Sequence, residues 1–550
     1  MPLARRNMHI APNAAQRKSQ SVFLPAPLKG LNTVDAPGMM SAEYALSCVN
    51  FLPLENGLVT RGGTQPMSAS MPTDVTTVMG YTGGNGVLFG VSGEKIYQLP
   101  NQPNASATPV VVYSGLTSPW LQHVNFSNNG GSFLWACNGK DTAIYFDGST
   151  WAAAPITGVT DDAPPANVAV FQTRLFFCVP GSLDLYYLAT DAIQGAASKL
   201  PLGAYFDRGG EILLVGNITI DSGYGPDDYL IVVTNNGEAV SFKGRNPDSA
   251  ESWAMVGRFQ VARPLGRRSM VKWGGDLVIM TEAGVAGISS MLSQELAGLV
   301  NAATEKIQPT WAEYSRLGYG QSGWDICVYH RRGLMLINIP TQFTGFKQYF
   351  FNPQTIAWSE VQGWEQIRCL TEYQGKLLAG MGRFVHWLDS LYNDVIYQPR
   401  GYSQWYTMQW YSGQWSIPEA VGVPITAQVQ QAFSFAGGQG VKKQYTLMRP
   451  YIMSEVQPFA AMGLNTDNII QTWNTQQIMD YQDFGGSQWY TDEWYTMQWS
   501  MGRALPSIRT RWVQARAVGY SASIVLKVRA DSATSTYTGS DLQYVVGNTL

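Results

Sequence analysis

Residues Pro226–Ser290 read PDDYLIVVTNNGEAVSFKGRNPDSAESWAMVGRFQVARPLGRRSMVKWGGDLVIMTEAGVAGISS. The apolar run Tyr229–Val233, the Asn235-Asn236-Gly237 turn and the run Ala239–Phe242 predict a β-hairpin. A second hairpin follows the loop at Arg263–Arg268, with Leu277–Met280 and Val285–Ile288 joined through Glu282-Ala283-Gly284. Trp253 closes the first of these units. Short strands, tight turns and an aromatic residue at the close are what a propeller blade requires.

The same grammar extends outward in both directions. Towards the N-terminus, Val87–Val91 turns into Ile96–Leu99, Phe133–Cys137 into Ala143–Phe146, and Val168–Phe171 into Leu175–Val179. Towards the C-terminus, Trp324–Tyr329 turns at His330–Gly333 into Leu334–Ile339, and Lys376–Ala379 into Phe384–Leu388. Six to seven blade-like units result, a number that suits a propeller or a stack of sandwiches. One segment breaks the pattern. Ser293 as N-cap, with Leu296, Leu299, Val300, Ala303 and Ile307 on one face, predicts a helical insertion near 293–317 that Pro309 interrupts. Ala192–Leu202 reads as a short helix or an ordered loop.

Beyond residue 400 the chain repeats itself. SQWYTMQWYSGQW (Ser403–Trp415) and SQWYTDEWYTMQW (Ser487–Trp499) agree at nine of thirteen positions. Strand residues five apart face opposite sides, so Trp405, Trp410, Trp494 and Trp499 require cover on both faces or a bend. The plain reading is aromatic filling of a β-core; the functional one is a subunit interface or a platform for sugars. With the alternating strands between and after the copies, 401–550 is expected to be an aromatic-rich, sandwich-like β domain. At the other end, the first 34 residues hold Arg5, Arg6, Arg17, Lys18 and Lys29 and no acid. Residues 1–25 thus read as an extended basic arm, ordered only against a partner surface.

Composition bounds the function. With 550 residues the chain exceeds a single core. A net charge of −3 gives no overall nucleic-acid-binding signal, and no apolar run reaches membrane-spanning length. Five scattered cysteines without a C-x-x-C pair read as buried small hydrophobes. The four histidines lie far apart, and no nucleophile elbow, zinc helix or phosphate loop is present. No catalytic residue, cofactor site or metal set is therefore assigned, and the chain is not expected to be an enzyme. Asp147-Gly148-Ser149-Thr150-Trp151 departs from a sialidase Asp-box by one residue. The best contact candidates for phosphate or an acidic neighbour are two Arg-rich corners, Arg263, Arg267 and Arg268, and His330, Arg331 and Arg332. Taken singly, each also fits an ordinary solvated turn.

The stretch from Gly237 to Ser289 resembles the tail nozzle, or tail tubular protein B, family of short-tailed bacteriophages. PLKGLNTVDAPGMMSAEYALSCVNFLPLENGLVTRGG (Pro27–Gly63) is similar to that family's opening. The resemblance implies a mainly β protein: an arm at 1–25, a β-propeller-like domain at 26–400 and the C-terminal β domain. It further implies a structural virion protein, assembled in the host cytoplasm into the tail. Six copies would form a ring that extends and closes the DNA-ejection channel below the portal and adaptor. The implied partners are the tail adaptor, with tail fibres left open, and genomic double-stranded DNA passing without sequence-specific recognition. The arm, the Arg-rich corners and the repeat tryptophans become its candidate partner and channel contacts. A glycan-binding or glycan-cleaving propeller is the competing expectation; it calls for paired carboxylates or an Arg cluster at one propeller mouth. A component of a longer-tailed phage or a prophage remnant is a third, changing only the assembly.

Overall fold

The computed structural model describes residues 19–221, 226–249, 251–289, 303–341, 345–398, 419–456, 458–471, 476–479, 507–530 and 533–547. It is mainly β, a propeller joined to a β-sandwich.

The opening hairpin forms as its sequence demands. Pro226–Thr234 pairs antiparallel with Glu238–Gly244, which pairs with Trp253–Gln260. Gly237 makes the turn at φ 81°, and a Cβ there would lie 2.4 Å from the Val261 carbonyl oxygen. Ile212–Asp221 completes this four-stranded sheet on its inner side. Equivalent antiparallel sheets begin at Val75–Tyr81, Gln122–Asn128, Asn167–Phe171 and, with three strands, Met270–Trp273. These five sheets stand alone. Two more units, led by Asp325–Tyr329 and Ile367–Tyr373, finish the ring and continue into the sandwich. Residues from all seven leading strands line one axial cavity, so the ring has seven sectors, at the upper end of the expected number. Thr64–Pro66, from the N-terminal side, adds itself antiparallel to Phe384–Leu388 and so ties the last blade to the start of the propeller. Each interface between blades is filled by large side chains, such as Trp135, Phe177 and Tyr186 between the second and third.

The second body is a two-layer sandwich. Ser535–Val546 is the hub of one layer, pairing with Ser19–Pro25 on one side and Lys443–Ser454 on the other. Ala522–Ala530 pairs with Glu419–Gln431 and Phe459–Thr466 in the other. Val429, Met462 and Leu526 pack against Tyr445, Tyr537 and Leu542 between them. Buried Tyr537 donates its hydroxyl within 2.7 Å of Ser540 Oγ or accepts from it, and Gln431 Nε2 donates to it at 3.0 Å.

Three expectations change. Residues 19–60 belong to the sandwich, through Ser19–Pro25, Ala45–Val49, Phe51–Leu54 and Gly57–Thr60, so the propeller starts at Thr64 and not at 26. Of the expected arm, Ser19–Pro25 is a sandwich strand, because Val22 and Leu24 have apolar sites on the hub strand's sheet that local composition does not reveal; residues 1–18 lie outside the described residues. The helix runs Gln308–Gly318, starting where interruption was expected. Pro309 occupies its first turn, where the missing N–H has no intrahelical partner to lose. Trp311 anchors that helix, buried against Trp324 and Trp358 with its indole N–H on the Thr281 carbonyl at 2.9 Å. Residues 290–302, which hold the expected N-cap Ser293 and Leu296, Leu299 and Val300, lie outside the described residues. Within 192–202, Ser198–Pro201 is the outer strand of the third blade, paired with Asp184–Tyr187.

Candidate functional site

The loop Pro264–Arg268, leading into the fifth blade, is fixed from both sides. Leu265 N–H reaches the Met280 carbonyl at 3.3 Å, Met280 N–H reaches Ser269 O at 2.7 Å, and Ser269 Oγ donates to Gly266 O at 2.6 Å. This loop carries Arg267 and Arg268 to the end of the axis where the innermost strands begin.

Arg268 spans the axis. Its guanidinium donates to Thr76 O at 2.9 Å, Thr77 Oγ1 at 2.6 Å and Leu121 O at 2.9 Å, stands 3.8 Å from Asp325 and lies over Trp120, 5.1 Å from the ring centre. One side chain thus joins the first, second, fifth and sixth sectors. Burial pushes the Asp325 carboxyl up to about 6, against the pull of Arg268 and of the Leu370 and Ile326 N–H groups. Burial, with the Arg268 charge beside it, pushes His123 down to about 4. Arg267 is held more loosely. Among the described residues its one ion pair is Glu211, at 3.4 Å, and its Nη1, shielded from solvent, meets no oxygen or nitrogen acceptor. It lies against the Cys178 thiol, which burial pushes up to about 11 while Arg267 draws it down.

Two cavities meet at these arginines. The axial one, about 440 Å³, runs inward past His123 and Asp325. The other, about 510 Å³, opens at the mouth between Trp120, Lys140, Glu211 and Tyr319. Arg263 stands nearby, exposed, 3.9 Å from Glu282 and over the Tyr319 ring. The first Arg-rich corner is therefore a real cluster at one propeller mouth.

The second corner lies at the opposite end of the axis and is not one site. His330 is exposed, stacked on Trp273 and bonded to Glu372. Arg331 is exposed. Arg332 turns away to grip Asp389 with Nε at 2.5 Å and Nη2 at 3.2 Å, and that carboxylate also receives the Tyr329 hydroxyl and the Gly62 N–H. Arg332 is a structural tie. Arg5, Arg6, Arg17, Lys18, Trp405, Trp410, Trp494 and Trp499 all lie outside the described residues.

Asp227-Asp228 lies within the Pro226–Thr234 strand with its acids answered locally, and the Asp-box-like pentad is turn chemistry. Asp227 pairs with Lys243 at 2.6 Å, and Asp228 accepts from Thr219 Oγ1 at 2.7 Å. Asp147 caps its own turn through the Ser149 and Thr150 N–H groups, presenting Trp151 to Phe89 and Phe146. Among the described residues no group of three or more His, Cys, Asp or Glu is arranged to hold a metal ion.

Sequence reasoning passed over Arg61, the most thoroughly enclosed arginine described. It pairs with Asp394 at 2.6 and 3.0 Å, donates to Asn50 Oδ1 at 2.9 Å, Gly62 O at 3.0 Å and Gln362 O at 2.7 Å, and stacks on Trp364 at 4.4 Å. Trp364 in turn donates to Asp394 at 3.0 Å. The signal available was Arg61-Gly62-Gly63 itself: a Cβ on Gly63 would lie 1.9 Å from the Asn393 carbonyl oxygen, so the backbones touch.

No family model matches the sequence, and no curated protein does. Solved structures with a similar course include "YCF48 bound to D1 peptide" (9% identity over 62% of this chain and 97% of that one, TM-score 0.36). A chain of "Crystal Structure of Mitotic Checkpoint Complex" is similar at 9% identity over 60% and 93%, with TM-score 0.34. A third, "Crystal structure of BBS1N in complex with ARL6DN, soaked with lead", is at 13% identity over 42% and 74%, with TM-score 0.28. At these values the likenesses carry no argument about function. The class of the molecule, a β-propeller joined to a β-sandwich, rests on its own strand pairing.

Proposed function

We propose that the chain is a structural virion protein, the nozzle subunit whose ring extends and closes a short tail's DNA channel. The observation that supports this reading best is the place of Pro27–Gly63, the opening that resembles the nozzle family. In the structure this segment supplies three sandwich strands, runs into the Thr64–Pro66 propeller strand and ends at the Arg61–Asp394 pair. It ties the two bodies together through continuous chain, strand pairing and an ion pair, as a load-carrying ring subunit requires. The propeller's own axis is not the conduit in this reading. Arg268 crosses it, bonded to the first and second sectors and 3.8 Å from Asp325 of the sixth. The channel then runs between protomers, six of them, with the adaptor above.

Electron microscopy of the purified protein and of tails containing it tests this. Six-fold rings with a central opening are expected. A chain that stays monomeric at high concentration and is missing from purified tails would overturn the proposal. The second reading, a glycan-binding propeller, draws on Arg267 and Arg268 standing at a mouth beside Trp120 and Tyr319. Specific retention on host polysaccharide, with no rings, would favour it.

A further inference from the structure

The mouth cavity carries a charge surplus that the fold does not use up. Its charged lining is Lys140, Arg267 and Arg268 against Glu211 alone. Arg268 spends its N–H groups mostly on neutral oxygens, with Asp325 at 3.8 Å, so its charge is positioned but only loosely neutralised. Glu211 is shared, since its Oε2 accepts the Gly181 N–H at 2.6 Å while Oε1 stands 3.4 Å from Arg267. Arg267 is left with a donor that has no oxygen or nitrogen acceptor. Only the Cys178 sulfur, a weak acceptor, stands beside that donor, so the Arg267 charge is poorly answered by its own chain.

Preorganisation is the second element. The Pro264–Arg268 loop is pinned by the Met280–Ser269–Gly266 hydrogen bonds, and Asn167 Nδ2 donates to the Arg267 carbonyl at 3.2 Å. Trp120 backs Arg268. A guanidinium held this way keeps its planar fork ready and loses little freedom on binding. At about 510 Å³ the cavity falls within the roughly 300–1,000 Å³ range of small-molecule sites.

We propose that this mouth cavity binds a compact oxyanion, a carboxylate or phosphate group borne by a small molecule, with Arg267 as the principal cation and Lys140 as the second. Arg268 shapes the floor and supplies field. The assignment concerns the propeller mouth and stands whether or not the chain forms a nozzle ring.

Titration of the full-length protein in phosphate-free, low-salt buffer tests it, with inorganic phosphate, glucuronate and neutral glucose as probes. Phosphate, glucuronate or both are expected to bind, competing if both do, with affinity falling as salt rises. Arg267→Gln should weaken binding about tenfold and Lys140→Gln severalfold. Arg263→Gln changes net charge equally but lies outside the cavity lining, and should leave binding unchanged. Phosphate alone would assign a phosphate site, and glucuronate alone a carboxylate site. The proposal is overturned if neither anion binds, if glucose binds as tightly as glucuronate, or if Arg263→Gln weakens binding as much as Arg267→Gln. Should Arg267→Gln not fold, Lys140→Gln decides, and unchanged affinity there overturns the assignment.

Discussion

Arg61 is buried and Arg267 half-buried, and they sit in opposite kinds of surroundings. Around Arg61 the charge is matched by a bidentate carboxylate and the remaining donors reach oxygens. Around Arg267 one long ion-pair contact and the weak acceptor sulfur of Cys178 meet the side chain. A buried charge completely answered by its own chain is architecture, because removing either partner strands the other. A charge incompletely answered is a place where another molecule finds work to do.

The largest effect expected is at the answered site. Arg61→Met leaves Asp394 enclosed without its counter-charge, and should lower unfolding stability by about 3–5 kcal/mol. Adding Asp394→Asn should recover part of this. Denaturant midpoints measure both, and an Arg61→Met protein as stable as the parent would erase the distinction drawn between the two sites.

Next comes Asp325, on the axis beside Arg268. Its folded value of about 6 lies above the unfolded value of about 3.9, so the folded state holds the proton more tightly. Its stabilising contribution is complete below pH 4 and is lost as pH rises to 6, by about 3 kcal/mol in all. His123 and His386, both pushed down to about 4, act in the opposite sense, losing stability as pH falls from 6.5 to 4. Both remain in Asp325→Asn, so the difference between variant and parent isolates the aspartate. The variant should gain on the parent between pH 4 and 6; parallel stability curves would place Asp325 in ordinary solvated surroundings.

The two smallest effects fall on adjacent residues. Arg332→Gln breaks the grip on Asp389 and should cost about 2 kcal/mol in thermal or chemical unfolding. Arg331→Gln, on an exposed side chain, should stay within about 0.5 kcal/mol. Equal losses at both positions would mean that the split of this Arg-rich corner into a structural and a solvated residue is wrong.

Local pattern made much of the fold legible. The hairpins at Tyr229–Phe242 and Leu277–Ile288 follow from runs of β-branched residues broken by Asn-Gly and Gly turns, and they form in register. The alternating strands between the repeat copies were readable too, and they form as Glu419–Gln431 and Lys443–Ser454. The helix at Gln308–Gly318 was hidden because Pro309 reads as a breaker unless the turn it opens is known.

The sequence by itself determined short antiparallel strands, their turns and a mainly β class, because these depend on neighbours two to five residues away. Only the tertiary structure decided which strands share a sheet. Ser19–Pro25 joins Ser535–Val546, and Thr64–Pro66 joins Phe384–Leu388, across hundreds of residues. No local propensity encodes such a partner, since an edge strand's N–H and C=O groups accept any strand of fitting register. The same distance separates Arg61 from Asp394 and Arg268 from Thr76. Sequence showed that these arginines exist; the closed ring decided which one is bolted into the frame and which faces the mouth.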